Sequence, residues 1–402
     1  MRIARSCLIA AAALAAVVLP RSGASGPQVG GALNADPLGW AFHVGAAASP
    51  SKACVVMSAH AAPDDDSLVG IRAACWDGNA WTPLGGRISH PAQDQGAGFG
   101  GAAFAPAITM LGDTPYVAWY EGSGYVHARI FVAHWDGSAW VMDGAEGLTA
   151  SDSVASQPVL STLGGVVYAA WSEGGCVHVA HLDAGWTADG GCVRGDGGAT
   201  SVRGLALASI GDALHLAIAE DATTKTSVGE FSAANTRVPI GVSMLRLENG
   251  SWQKVGGTIG AGKQAHGVAL ADVGGVAYVA WVGQTGPVSD VHVAHWDGSG
   301  WAPDGGVGNA DPKAGWAQTP SLGVVSGTLY MAFAEHSPGQ PARIQVRHLA
   351  SGALAVDAVA NVDPNASAEG PRLFSDGASL RVAFTEKPKL PGVGTVYVRS
   401  LP

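Results

Sequence analysis

Charge is what this chain has least of. Only 13% of its 402 residues are Asp, Glu, Lys or Arg, and the net charge is −10. That balance excludes the basic surface that nucleic acid or an anionic membrane face requires. Cysteine is scarce too, with 5 in the chain and no Cys-x-x-Cys pair, which argues against a structural zinc site. No His-Glu-x-x-His, Gly-x-Ser-x-Gly or phosphate-binding loop occurs, so the enzyme classes built on those motifs are excluded. After Leu19 no apolar run is long enough for a membrane helix, and helical periodicity is missing.

The start of the chain reads as an address. Arg2 and Arg5 precede an apolar run from Cys7 to Leu19, which Pro20 ends. Ser22-Gly23-Ala24 is a small-residue cleavage site, so residues 1–24 are expected to be a signal peptide. Cys7 precedes the apolar run instead of closing it, which speaks against a lipoprotein anchor. The expected destination is secreted, periplasmic or cell-surface. Arg2, Arg5 and Arg21 leave with the leader, so the remaining chain is more acidic still.

What is abundant is glycine, 58 residues, together with Val, Ala and 13 Trp. These suit short strands joined by tight turns. Residues 106–121 read PAITMLGDTPYVAWYE, residues 158–173 read PVLSTLGGVVYAAWSE, and residues 371–386 read PRLFSDGASLRVAFTE. The same frame recurs at 320–335, looser copies run over 205–220 and 268–281, and a degenerate one runs from Val44 to Met57. A second half follows each copy, as in VAHWDGSAW at 132–140 and VAHWDGSGW at 293–301. Each unit therefore holds four strands, A to D, with Asp-Gly or Asn-Gly hairpins between C and D. Four strands in roughly 50 residues, repeated seven times, predict an all-β, seven-bladed β-propeller of four-stranded antiparallel blades. It is expected to occupy residues 25–402 as one domain.

The last copy, VRSL at 398–401, lacks strand D. Gln28-Val29-Gly30-Gly31 parallels Lys254-Val255-Gly256-Gly257, the end of a strand D. The N-terminal segment is therefore expected to close the ring as the missing outer strand, removing the open edges.

Four cysteines remain after the leader. Cys176 and Cys192 are symmetric about a C–D turn, and Cys54 and Cys75 about the Asp64-Asp65 loop. Each pair is expected to face across a hairpin and to bond in an oxidising compartment.

The A–B and C–D turns are nearly constant in length, whereas B–C and D–A connections vary. The longest are 87–104, 192–202 and 221–240. Both kinds of variable loop lie on one face of an up-and-down blade, which marks that face for function. It also gathers acid. Glu121, Glu173, Glu220, Glu335 and Glu386 follow strand B in five units, and Asp36, Asp311 and Asp363 stand in Asn-x-Asp-Pro segments. Such a ring could hold Ca²⁺ or a cationic ligand; the same glutamates could equally cap backbone amides of a neighbouring blade. Trp40 and Trp316 fall outside the repeat core, beside Asp36 and Asp311, where an aromatic platform would suit a sugar. The alternative is a Trp wedged between blades. His134, His181, His295 and His348 occupy one repeated strand C position, so they cannot converge on a metal; hydrogen bonding between blades is expected of them.

The alternating YVAWxE and VxxWDGSxW pattern resembles secreted bacterial propellers of the broad sialidase-like, BNR-type group, over residues 26–402. The chain departs from that group at the sites of activity. It has no Ser-x-Asp-x-Gly-x-x-Trp box and no arginine triad, and Arg237-Val238-Pro239 is the nearest match to an Arg-Ile-Pro segment. The resemblance thus implies architecture, with no catalytic residue carried over. The expected function is non-catalytic recognition of a glycan or protein surface on the variable face. The alternatives are a glycoside hydrolase or lyase with carboxylates at the central mouth, and a structural envelope or matrix protein.

Overall fold

The computed structural model describes residues 27–34, 41–59, 69–89, 103–122, 128–144, 147–149, 154–196, 200–227, 233–285, 288–387 and 394–401. Every regular element among them is a β-strand. The strands fall in chain order into seven antiparallel groups. Four groups are separate four-stranded sheets, and two more are joined by a parallel contact between Ser289 and Trp316. The seventh has three strands, Ser367–Ser375, Leu380–Lys387 and Thr395–Ser400. The first strand of each group neighbours the first strand of the next, and Ser367–Ser375 returns to Ala41–Ala48. The result is a closed β-propeller with the A strands innermost.

The N-terminus completes the last blade. Val29 N donates to Val398 O (2.9 Å), Leu33 N to Val396 O (3.0 Å), and Ser400 N to Pro27 O (3.2 Å). The joint repeats contacts used elsewhere in the ring. The strand D tryptophan of one blade donates its indole N–H to a carbonyl at the strand D end of the blade before: Trp140 to Leu84, Trp186 to Asp143, Trp252 to Asp189 and Trp301 to Val255. Trp81 makes the equivalent bond to Val29 (2.8 Å), so the borrowed strand is read by blade 1 like any other. Gly30 shows why glycine follows it. Its φ is +74°, and a Cβ there would lie 2.7 Å from Trp81 Cδ1.

The apolar cores lie between blades. Trp119 and Phe131 of blade 2 pack with Val56, Ile71 and the Cys54–Cys75 pair of blade 1, while Phe384 of blade 7 packs with Ile344 and Val346 of blade 6. Both expected disulfides are present: Cys54–Cys75, directly opposed on strands B and C, and Cys176–Cys192.

Two expectations need correction. The 221–240 segment is not a loose connection. Strands B and C of blade 4 run on as Ala213–Ser227 and Ala233–Glu248, paired as far as Ser227 with Ala233. The strand C histidines bond within their own blade, not between blades. His134, His181, His295 and His348 pair through Nδ1 with Asp143, Asp189, Asp304 and Asp357 on or just after strand D, at 2.7–2.8 Å. Each imidazole also lies against a strand B tyrosine, Tyr116, Tyr168, Tyr278 or Tyr330. The tertiary reason is spacing. The aspartate follows eight or nine residues after the histidine and returns beside it on the next strand, closer than any neighbouring blade.

Candidate functional site: the mouth of the central channel

The repeated acids have repeated structural partners. Glu335 accepts the backbone N–H groups of Ala310 and Asp311 at 3.0 and 2.7 Å. Glu386 accepts those of Val362 and Asp363 at 3.2 and 2.8 Å. Glu220 takes Asp196 N–H and the Ser243 hydroxyl, both at 2.7 Å. Glu121 and Glu173 take the indole N–H of Trp119 and Trp171 at 3.0 and 2.8 Å. Glu121, Glu220, Glu335 and Glu386 are buried. Burial pushes the carboxyls of Glu220 and Glu386 above the ordinary range, against the pull of the amides they bind. These are caps for the D–A connections and for the strand B tryptophans. Among the described residues no three potential metal ligands cluster.

The Asn-x-Asp-Pro segments are staples of the same kind. Asn309 Oδ1 accepts Val291 N–H while its Nδ2 donates to Ser289 O, both at 3.0 Å. Asn361 does this with Ile344 and Ala342, and Asn34 with Val396 and Gly394. Asp311 Oδ1 accepts Lys313 and Ala314 N–H within its own turn. Asp36 and Trp40 lie outside the described residues, as do Asp64 to Asp66.

The channel breaks this regularity. It encloses about 1010 Å³ and is lined by strand A residues of all seven blades. Near its mouth each strand A carries a bulge. Six of the bulged residues have positive φ: His43, Ala105, Gln157, Gly267, Thr319 and Gly370. Thr319, at φ 47°, is β-branched and held where such residues rarely sit. Strain of this kind costs ~1–3 kcal/mol per residue and tends to gather where a chain must aim side chains at a site.

The side chains so aimed differ from blade to blade. At the repeat position two residues before the strand A proline or its equivalent stand Phe42, Phe104, Ser156, Arg203, His266, Gln318 and Glu369, Arg203 being itself the bulged residue of blade 4. Phe42, Phe104 and Tyr120 form an aromatic line, with centroids 6.0 and 5.6 Å apart. Glu369 pairs with Lys387 at 2.7 Å, both side chains part-exposed. Arg203 pairs with the buried carboxylate of Asp221 at 2.8 Å. Burial holds His266 below the ordinary imidazole value, helped by Arg203 and opposed by Asp221. His43 is lowered chiefly by burial, then by the positive charges of Arg372 and Lys387.

Trp316 opens strand A of blade 6, directly opposite His336, and is 36% exposed. The two rings stack with centroids 5.3 Å apart and planes parallel to within 3°. Burial lowers the His336 pKa, with Glu369 and Lys387 acting on it from blade 7. The channel residues Arg372, Lys387 and His43 gave no warning in the sequence. The one available signal was departure from the repeat at positions the repeat aligns.

No family model matches this chain. No curated protein matches either. Among solved structures it is similar to an ulvan lyase described as a new family of polysaccharide lyase, with TM-score 0.61, 11% identity, 90% of this chain and 94% of that one covered. It is similar also to a protein of unknown function from Dyadobacter fermentans DSM 18053, with TM-score 0.51, 13% identity and 95% and 99% covered. A third is the β-propeller domain of the trilobed protease from Pyrococcus furiosus, with TM-score 0.51, 9% identity and 90% and 95% covered. At such identities the likeness concerns fold alone: the chain is a β-propeller.

Proposed function

We propose that this protein is an exported recognition propeller that binds a glycan at the mouth of its central channel without transforming it. The observation that carries the reading is the parallel, stacked Trp316–His336 pair, partly exposed at the start of strand A of blade 6, two residues before the channel-lining Gln318. An exposed aromatic face beside hydrogen-bonding groups suits the apolar face of a pyranose. The named ulvan lyase is a propeller that acts on a polysaccharide, which agrees with this reading. Export follows from the leader at 1–24 and agrees with two disulfides. Membership of the sialidase-like group is part of the same proposal.

The test is a glycan array of the chain lacking residues 1–24, run with and without Ca²⁺, beside Trp316→Ala. Retention of one sugar class that Trp316→Ala abolishes is the expected result. Loss on removing Ca²⁺ would assign a cation to the site. A blank array would sink the reading and leave a protein partner or an envelope role. A lyase or hydrolase at the same mouth is the second reading. It is favoured by His43, whose imidazole is kept neutral and able to accept a proton. New reducing or unsaturated ends in any retained polysaccharide would establish it.

A further inference from the structure

Arg372 is the charge that breaks the ring. It lies on strand A of blade 7, one step past the bulge and proline, and lines the channel. The strand register aligns it with Gly45, Ala107, Val159, Ala206, Ala269 and Ser321 in the other blades. All six also line the channel, and none is charged. Six blades therefore keep this level small or apolar, and one places a guanidinium there.

Among the described residues that guanidinium has no counter-ion. Its described hydrogen bond runs from Nη1 to the carbonyl of the adjacent Pro371 at 3.0 Å. Arg381 and Arg203, by contrast, are each paired with an aspartate. A guanidinium has five N–H donors in a planar fork, so most of this one is left for something in the lumen. Removal from water weakens its hold on the proton, and no described acid offsets this. A charge half-withdrawn from water with no described partner is costly, and a ligand of opposite sign in the lumen would offset that cost. Nearby, Glu369 is already engaged by Lys387, and His43 is held neutral. The local excess is one positive charge, inside a protein whose net charge is −10.

We propose that Arg372 makes the channel a receptor for a single anionic group, the carboxylate or sulfate ester of an acidic saccharide seated at the mouth. This rests on the glycan-binding reading and narrows its ligand class. Planar bidentate recognition explains why the residue is Arg.

The test uses calorimetry on the chain lacking residues 1–24, with oligoglucuronate, a sulfated neutral oligosaccharide and the unsulfated parent of the latter. Arg372→Ala is the central variant. Ala occupies the aligned place in three other blades, so it is expected to fold. Arg372→Lys keeps the charge and loses the fork. One acidic probe should bind the native protein, at least about tenfold more weakly to Arg372→Ala, with only partial recovery in Arg372→Lys. Whether glucuronate or the sulfate ester does so identifies the source of the anion. Saturation should also raise the His43 titration midpoint seen by NMR, because burial is the main cause of its depression and the anion offsets the Arg372 charge that adds to it. Equal affinity of native protein and Arg372→Ala would overturn the inference. So would retention of the neutral parent alone; if Trp316→Ala abolished that retention, the broader glycan reading would still stand.

Discussion

Two sets of polar residues occupy this propeller, and they obey opposite rules. The glutamate caps, the Asn staples and the His–Asp pairs recur from blade to blade, and each has its partner within the framework. The residues around the channel mouth do not recur. They change at aligned positions from Phe42 to Arg203 to Glu369, and at the next level from Gly45 to Arg372. A repeated residue answers a need that every blade shares, which is satisfying backbone groups at its ends. A residue present once answers a need of the whole ring. In a repeat protein, function is therefore best sought where the repeat fails.

The contrast can be broken from the framework side first. Trp119 is fully buried between blades 1 and 2. Trp119→Ala should cost about 3–5 kcal/mol by denaturant unfolding. A loss no larger than that of a surface substitution would mean that the blades do not share a core there. At the ring joint, Gly30→Val forces a side chain onto Trp81 at a left-handed φ. The thermal midpoint should fall clearly, and limited proteolysis should begin near the N-terminus. An unchanged midpoint would show that the borrowed strand is dispensable.

Glu335→Ala strips two backbone amides of their acceptor in a buried setting and should destabilise by about 1–3 kcal/mol. Ligand retention should not change. If instead binding disappeared while stability held, the glutamates would belong to the site after all.

Acid acts on both sets. Burial depresses the folded-state pKa of His43, His215, His266, His292 and His336 below 6.5. A depressed value means the fold prefers the neutral ring. That contribution is complete above the unfolded value of 6.5 and is lost as the pH falls through the folded values. Glu220 and Glu386 are raised above 4.5, so their contribution is present below that value and lost as pH rises. The thermal midpoint should therefore drop on acidification from about pH 7 to about pH 5, where the histidines dominate. A midpoint that rises over this interval would assign the dominant role to the carboxyls.

The smallest stability effect is expected at the mouth. Trp316→Ala removes a partly exposed ring and should change stability by no more than about 0.5 kcal/mol while abolishing glycan retention. A large stability loss would make Trp316 a wedge between blades.

Much of the architecture was legible before any coordinates. Alternating strands, Asp-Gly hairpins and a seven-fold frame depend on local chemistry, which is written in sequence order. The closure was legible too, because Gln28-Val29-Gly30-Gly31 copies a strand end found elsewhere. The disulfides followed from hairpin symmetry. The blade 4 ribbon was missed because residues 221–240 lack the apolar alternation of a half-buried strand; pairing between the two arms makes it a hairpin.

The site is a different matter. Trp316 was singled out as a residue outside the repeat, but His336, twenty positions on, became its partner only when strands A and B of blade 6 paired. Arg372 was invisible, since one arginine on a strand is unremarked until seven strands are superposed around an axis. By itself the sequence determined the repeat, its count of strands and the way its ends meet, because those are short-range and periodic. Only the tertiary structure decided which side chains share the channel, because closing the ring brings together residues more than three hundred positions apart, such as His43 and Arg372, whose interaction no local pattern records.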